Sequence, residues 1–285
     1  MSGIALNSGE PLVFHYTGAA GALGILKNAE MWCTLASHMN DKQECRFAHG
    51  VAKRIAYTEL SKADTGFREK FTAELTDQLE RYEVLKVYVA CFSECEDLLS
   101  QWRGYGGNSG YALGFSSNAL KALGERQGFA FDDVKYKNDE HEALLRPIIL
   151  DLISKFDSNW DRKEHRKQIE DAFGPSMASI AAKAAIIKHP SFSEEREWRL
   201  HSKPMFGADG NIDFIVRANR IVPIAKVNLD NGSFGPPYFR RDICVRGCVV
   251  GPGPEQAERS EAISALASKL EVSIREIEWS SAPLR

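Results

Sequence analysis

Three short stretches of the chain bring together residue types able to do chemistry. The first is Glu195-Arg196-Glu197-Trp198-Arg199-Leu200-His201. Alternate side chains of a strand share a face. Read as a strand, this segment points Trp198 and Leu200 one way and Glu195, Glu197, Arg199 and His201 the other. Two carboxylates on one face can act as a pair, one holding a ribose hydroxyl and stabilising an oxocarbenium-like centre, the other orienting a nucleophile. The competing reading is the solvated face of an ordinary antiparallel strand. In the catalytic reading Glu197 is buried and hydrogen-bonded, Glu195 lies nearer the mouth, and Arg199 keeps the carboxylate ionised by offsetting its desolvation.

The second stretch is His15-Tyr16-Thr17, at the end of a first strand and closed by Gly18. A histidine beside a glycine turn is placed to touch a ligand; the alternative is a satisfied structural histidine. The third runs from Cys91-Phe92-Ser93 to Tyr105. Here a strand delivers Ser93, and a short helix carries Gln101, Trp102 and Arg103 into Gly104-Tyr105-Gly106-Gly107. Glycines let backbone approach a ligand closely, Tyr105 offers a stacking surface, and Arg103 is a bidentate donor suited to phosphate or carboxylate. The alternative is a mobile loop with an aromatic anchor. The chain holds neither a G-x-G-x-x-G dinucleotide fingerprint nor a P-loop.

The elements that must position these residues follow from pattern. Short strands are expected at 12–17, 31–34, 84–92, 111–115, 130–136, 195–202, 212–216, 221–227, 244–250 and 272–279, the clearest being the β-branched run 84–92. Helices are expected at 21–27, from Lys42 towards Leu60, at 65–82, 97–103, 117–126 and 254–270. Asp41 and Glu44 form a capping box for the second of these. Residues 139–188 read as a helical insertion of two long helices, broken near Phe173-Gly174-Pro175. Strands, then helices, then strands again indicate one α+β domain over residues 1–285 with mixed or antiparallel sheets. The strands at His15, Phe92 and Glu197 are expected to line one cleft between two sheets.

Bulk properties exclude several classes. The chain has 285 residues, a net charge of −3, 44% hydrophobic and 26% charged residues, ordinary values for a globular domain. The charge argues against a general nucleic-acid binder. No stretch is long and apolar enough for a membrane span. The start lacks the basic and apolar runs of a signal peptide, so a cytoplasmic location is expected. Cys91 and Cys95, and Cys244 and Cys248, sit four apart. Structural zinc pairs usually have two intervening residues and sit in turns, so reduced thiols acting as small core residues are the better reading. Neither metal nor disulfide is expected.

Together these motifs resemble a known family. F-H-Y-T near the start, G-I-L near Leu26, M-N-D-x-x-E at Met39 to Glu44, C-F-S-E, D-L-L-S-Q-W-R-G-Y-G, A-L-G-F, H-P-x-F-x-E-E-R-E-W-R, V-V-G-P at Val249 and the ending S-S-A-P-L-R are similar to the bacterial domain-of-unknown-function family 2971. The motif order also resembles ADP-ribosyltransferases of the diphtheria-toxin and poly-ADP-ribose-polymerase type. That resemblance implies split mixed sheets with a helical insertion, NAD as substrate and no metal. It implies cofactor contacts from the His15-Tyr16-Thr17 motif, with His15 on the adenosine ribose, and from Phe92 and Ser93. Tyr105 or Tyr111 would stack on nicotinamide, and Arg103 or Arg199 would neutralise the pyrophosphate. Glu197 would be the catalytic carboxylate, with Glu195 completing an E-x-E pattern. The acceptor would be protein, nucleic acid or a small molecule. A toxin or antiviral role, with an antitoxin or regulator as partner, would suit such an enzyme. NAD hydrolysis at the same site, or non-catalytic nucleotide sensing, are the alternatives.

Overall fold

The computed structural model describes residues 11–38, 43–81, 86–107, 109–161, 163–205, 212–217, 219–230 and 242–283, the side chains of 43–45 excepted. The expected Asp41–Glu44 capping box, the M-N-D-x-x-E motif, the start of the 84–92 run and the last two residues of the tail lie outside the described residues.

Among the described residues ten strands form one hydrogen-bonded sheet: β1 (Leu12–Thr17), β2 (Glu30–Leu35), β3 (Tyr88–Ser93), β4 (Tyr111–Ser116), β5 (Phe129–Asp133), β6 (Glu197–Ser202), β7 (Ile212–Arg217), β8 (Arg220–Asn228), β9 (Val245–Val250) and β10 (Glu276–Trp279). The path runs β10-β9-β4-β1-β3-β2-β8-β7, with β6 and then β5 branching from β3. Every pair is antiparallel except β10 beside β9. Two separate sheets were expected; there is one sheet that splits at β3. One edge of β3 carries β6 along five residue pairs. Among the described residues its other edge pairs with β1 at Phe14–Ser93 and with β2 at Thr34–Val89 and Leu35–Tyr88, so β1 and β2 peel apart. Tyr88, Val89, Ala90, Phe92 and Ser93 are buried, as a strand covered on both faces must be.

One face of the sheet holds the main apolar cluster, including Val13, Phe92, Tyr111, Leu113 and Leu200. Ile25 and Leu26 of helix α1 (Ala19–Asn28), Leu120 of a helix at Ser117–Arg126 and Ile263 of a helix at Gln256–Lys269 belong to it. The other face carries a separate helical layer: α2 (Gln43–Glu59), α3 (Thr65–Arg81) and two long helices, Asn138–Lys155 and Arg166–Ala184, around Ile55, Phe71, Leu145 and Phe173. The helical layer is therefore larger than residues 139–188, because α2 and α3 share its core.

The expected break at Phe173-Gly174-Pro175 is not there. The last of those helices runs through Pro175, burying Ile169, Phe173, Met177, Ile180 and Ala184 on one side. That three-and-four spacing is a helical stripe, and its burial outweighs the ~3 kcal/mol penalty of an interior proline. The chain breaks earlier, where Asp157 and Asp161 side chains accept the backbone N–H groups of Asn159 and Lys163. Such local bonds compete with the helix ladder.

The Q-W-R-G-Y segment forms a single turn, α4 (Leu99–Gln101), that widens into a π-helical turn at Trp102–Gly106. Trp102 is 1% exposed. Its indole N–H donates to Asp97 at 2.7 Å, and its ring meets Tyr16 edge-on at 4.6 Å. A Cβ added at Gly106 would lie 2.6 Å from Trp102 Cε3, and one at Gly251 would lie 2.8 Å from Cζ3. Both glycines make room for the indole rather than for a ligand. Gly106→Ala is expected to cost ~1–3 kcal/mol by overpacking, read as a lower urea midpoint with an unchanged m-value; an unchanged midpoint would contradict it.

Candidate active site

Register decides which side chains meet. Phe14 faces Ser93, and Ser93 faces Glu197. Cys91 lies opposite Arg199. Phe14, Cys91, Ser93, Glu197 and Arg199 therefore share one face of the sheet. His15 and Thr17 pair with Leu113 and Tyr111 on the other face, within the main apolar cluster.

The expected single cleft lined by His15, Phe92 and Glu197 is thus not formed. His15 fills the split between β1 and β3: its Nδ1–H donates to the Cys91 carbonyl at 2.8 Å, and its ring lies 5.6 Å from Phe92. The β3 backbone at Cys91 separates it from Glu197, whose carboxylate interacts with the Cys91 thiol on their shared face. Thr17 and Tyr111 are likewise turned away from Glu197. Tyr16 is on the nearer face, but its hydroxyl is committed, donating to the Cys95 carbonyl at 2.7 Å and accepting from Leu98 N–H at 2.9 Å. Ser93, 2% exposed, is committed too: its hydroxyl donates to the Glu195 carbonyl at 2.6 Å and accepts from Cys95 N–H at 3.0 Å.

Burial lowers the His15 pKa; the bond to the Cys91 carbonyl opposes this and the charge of Arg217 adds to it. The sign follows. A folded-state pKa below ~6.5 leaves this contribution intact above pH ~6.5 and loses it as pH falls below that value. His15→Gln is expected to flatten the fall in unfolding free energy between pH 7.5 and 5.5. Identical pH profiles in urea denaturation would contradict this.

The charged centre is built around Glu197, 5% exposed. Arg199 Nε donates to its Oε1 at 2.8 Å and a terminal guanidinium nitrogen to its Oε2 at 3.0 Å. Lys188 Nζ reaches the same Oε2 at 3.0 Å and Glu195 Oε2 at 2.9 Å. Burial alone would raise the Glu197 pKa, but the charges of Arg199 and Lys188 overcome it and bring the carboxyl to about 2. Arg199 is 2% exposed and also donates to the Ala185 carbonyl at 2.8 Å. It is the internal counter-charge of Glu197, not a guanidinium aimed at a pyrophosphate.

Glu195 is not on the strand, as the alternation required. Residues Pro190–Glu195 form a 3-10 turn and Arg196 adopts a left-handed backbone with φ 44° before β6 begins. Glu195 nonetheless joins the centre through Lys188, and its side chain is 15% exposed against 5% for Glu197. Tyr105, 42% exposed, lies within electrostatic range of Cys91, Glu197, Lys188 and Glu195, and burial of its hydroxyl pushes its pKa up. Of the two tyrosines weighed for stacking, Tyr105 is the one near Glu197. Arg103 is exposed on the same π-turn.

Two members of this centre escaped the sequence reading. Lys188 leaves the end of the helical layer on a backbone pinned by a parallel bridge between Lys135 and Ile187. Its only sequence signal is its place before H-P-x-F-x-E-E-R-E-W-R. Tyr136 accepts the Glu197 backbone N–H at 3.0 Å, and burial raises its pKa to about 12. Among the described residues no group of three His, Cys, Asp or Glu side chains is placed to hold a metal, and no helix is long and apolar enough to cross a membrane.

Fold and site together define an α+β chain with a buried Glu–Arg–Lys centre on a splitting sheet. Residues 101–200 match the model of the family described as "Protein of unknown function (DUF2971)". The match spans the π-turn with Tyr105, the helical layer's two long helices and most of the Glu197 strand, and it supports the family the motifs resemble. Comparison with curated proteins and with solved structures finds no significant match.

Proposed function

We propose that the chain cleaves NAD and transfers ADP-ribose, with Glu197 as the carboxylate at the ribosyl centre. The observation that carries this is Glu197 held ionised in a buried site within electrostatic range of a half-exposed tyrosine, with a second carboxylate on the same ammonium. The bond from ribose C1′ to nicotinamide breaks with its electron pair leaving on nicotinamide nitrogen. Glu197 stabilises the cation at C1′ and takes the 2′-hydroxyl hydrogen bond. Tyr105 stacks on the leaving ring, Arg103 meets the pyrophosphate, and Glu195 orients the acceptor. The acceptor's lone pair then forms the new bond to C1′ as its proton passes to solvent. His15, Thr17 and Tyr111 have no part in this reading, and Tyr16, Ser93 and Arg199 support the site from behind.

The test is mass spectrometry of a cell lysate incubated with the protein and isotope-labelled NAD. ADP-ribose adducts on protein, nucleic acid or small molecules are the expected result. Free ADP-ribose with no adduct would reassign the site to NAD hydrolysis. A second reading, a non-catalytic nucleotide sensor, is favoured by one observation: both Glu197 oxygens already hold cations. Saturable NAD binding with no nicotinamide release would favour the sensor.

A further inference from the structure

We infer that Lys188 is the positioning residue that keeps Glu195 in the site, and so sets how cleavage divides between transfer to an acceptor and hydrolysis. The inference rests on the transferase reading above. The two glutamates are not held alike. Glu197 is clamped on both oxygens by Arg199, on a strand paired on both sides. Glu195 sits on a 3-10 turn before a left-handed residue, so no strand ladder fixes its direction. Its side chain meets Lys188 Nζ at 2.9 Å, while its carbonyl accepts from Ser93.

The ammonium is itself tightly placed. Lys188 has a side chain 6% exposed. Its backbone N–H donates to the Lys135 carbonyl at 3.1 Å, and the Lys135 N–H to Ile186 at 2.8 Å. Its Nζ lies 5.0 Å from the centre of the Phe192 ring, on the same 3-10 turn as Glu195. A buried ammonium with these partners is a fixed point charge. Losing it leaves Glu197 with Arg199, but leaves Glu195 beside a second carboxylate with the charge between them gone. Like-charge repulsion then drives the more exposed carboxylate towards water.

In Lys188→Met the ratio of acceptor labelling to nicotinamide released should therefore fall at least ~10-fold, the order of one lost charge-assisted contact, on top of the loss of release itself that follows from the Lys188 contact to Glu197. Lys188→Arg, which keeps the charge, should recover most of the labelling. Equal loss of both activities in Lys188→Met, or no recovery in Lys188→Arg, would overturn the inference. Thermal unfolding of Lys188→Met, Glu195→Gln and the double variant reads the same link without NAD. The double variant should be no less stable than Lys188→Met alone, whereas additive losses would overturn the link. If the unmodified protein releases no nicotinamide, the transferase reading fails. Lys188 then has no partition to set, and the unfolding data alone decide whether it holds Glu195.

Discussion

Glu197→Gln is expected to lower nicotinamide release from NAD at least ~100-fold, the usual scale for losing one electrostatic stabiliser of a transition state. The amide keeps the shape and can still hydrogen-bond a 2′-hydroxyl, so NAD binding should persist. What it lacks is the full negative charge that the proposed mechanism sets opposite a ribosyl cation. The substitution also leaves Arg199 and Lys188, both almost wholly buried, facing one carboxylate fewer. Part of the effect will therefore appear as lost stability, and rates must be compared at a temperature where circular dichroism shows both proteins folded. Release within threefold of the parent would remove Glu197 from the mechanism.

Arg199→Met should be the most destabilising single change at the site. Removing one partner of a buried ion pair typically costs ~3–5 kcal/mol, and Arg199 supplies both a bidentate contact to Glu197 and the bond to the Ala185 carbonyl that ties β6 to the helical layer. Lys188 remains to offset part of the charge, which places the expected loss at the lower end. The pH dependence carries a signature. In the parent, Glu197 contributes stability above the unfolded carboxyl's ~4.5 that is lost as pH falls towards about 2. Without Arg199 burial regains ground, the folded carboxyl moves back towards the unfolded one, and the stability that Glu197 loses on acidification below pH ~4.5 should shrink. Replacing Glu197 and Arg199 together by Leu and Met should destabilise by less than the sum of the single changes, because neither leaves the other unpaired. Additive losses in urea denaturation would show that the two side chains are independent.

Much of the local structure was legible in the sequence. The alternation Glu197-Trp198-Arg199-Leu200 is a strand with one apolar and one charged face, and the structure buries Leu200 among apolar side chains and pairs Glu197 with Arg199. Strand and helix positions were legible where the pattern is long. What was not legible is non-local. Which face of β1 lies on the Glu197 side of the sheet depends on Phe14 pairing with Ser93 across β3, and one residue of register exchanges His15 for Tyr16. The same dependence turns Tyr111 away and leaves Tyr105 near Glu197. The alternation failed at Glu195 because Arg196 adopts a left-handed backbone, an uncommon choice outside glycine that no period records. Pro175 misled because tertiary burial overrode a local penalty. Lys188 was invisible for a related reason: it stands in a sequence with no period, and only the bridge to Lys135 aims it at the two glutamates.

The most direct measurement is isothermal titration of NAD into the unmodified protein and into Glu197→Gln, with nicotinamide release followed by chromatography on the same samples. Both proteins should bind NAD with similar affinity, and only the unmodified protein should release nicotinamide above the rate in buffer. If the unmodified protein neither binds NAD nor releases nicotinamide, the Glu197 centre is not an NAD-cleaving site.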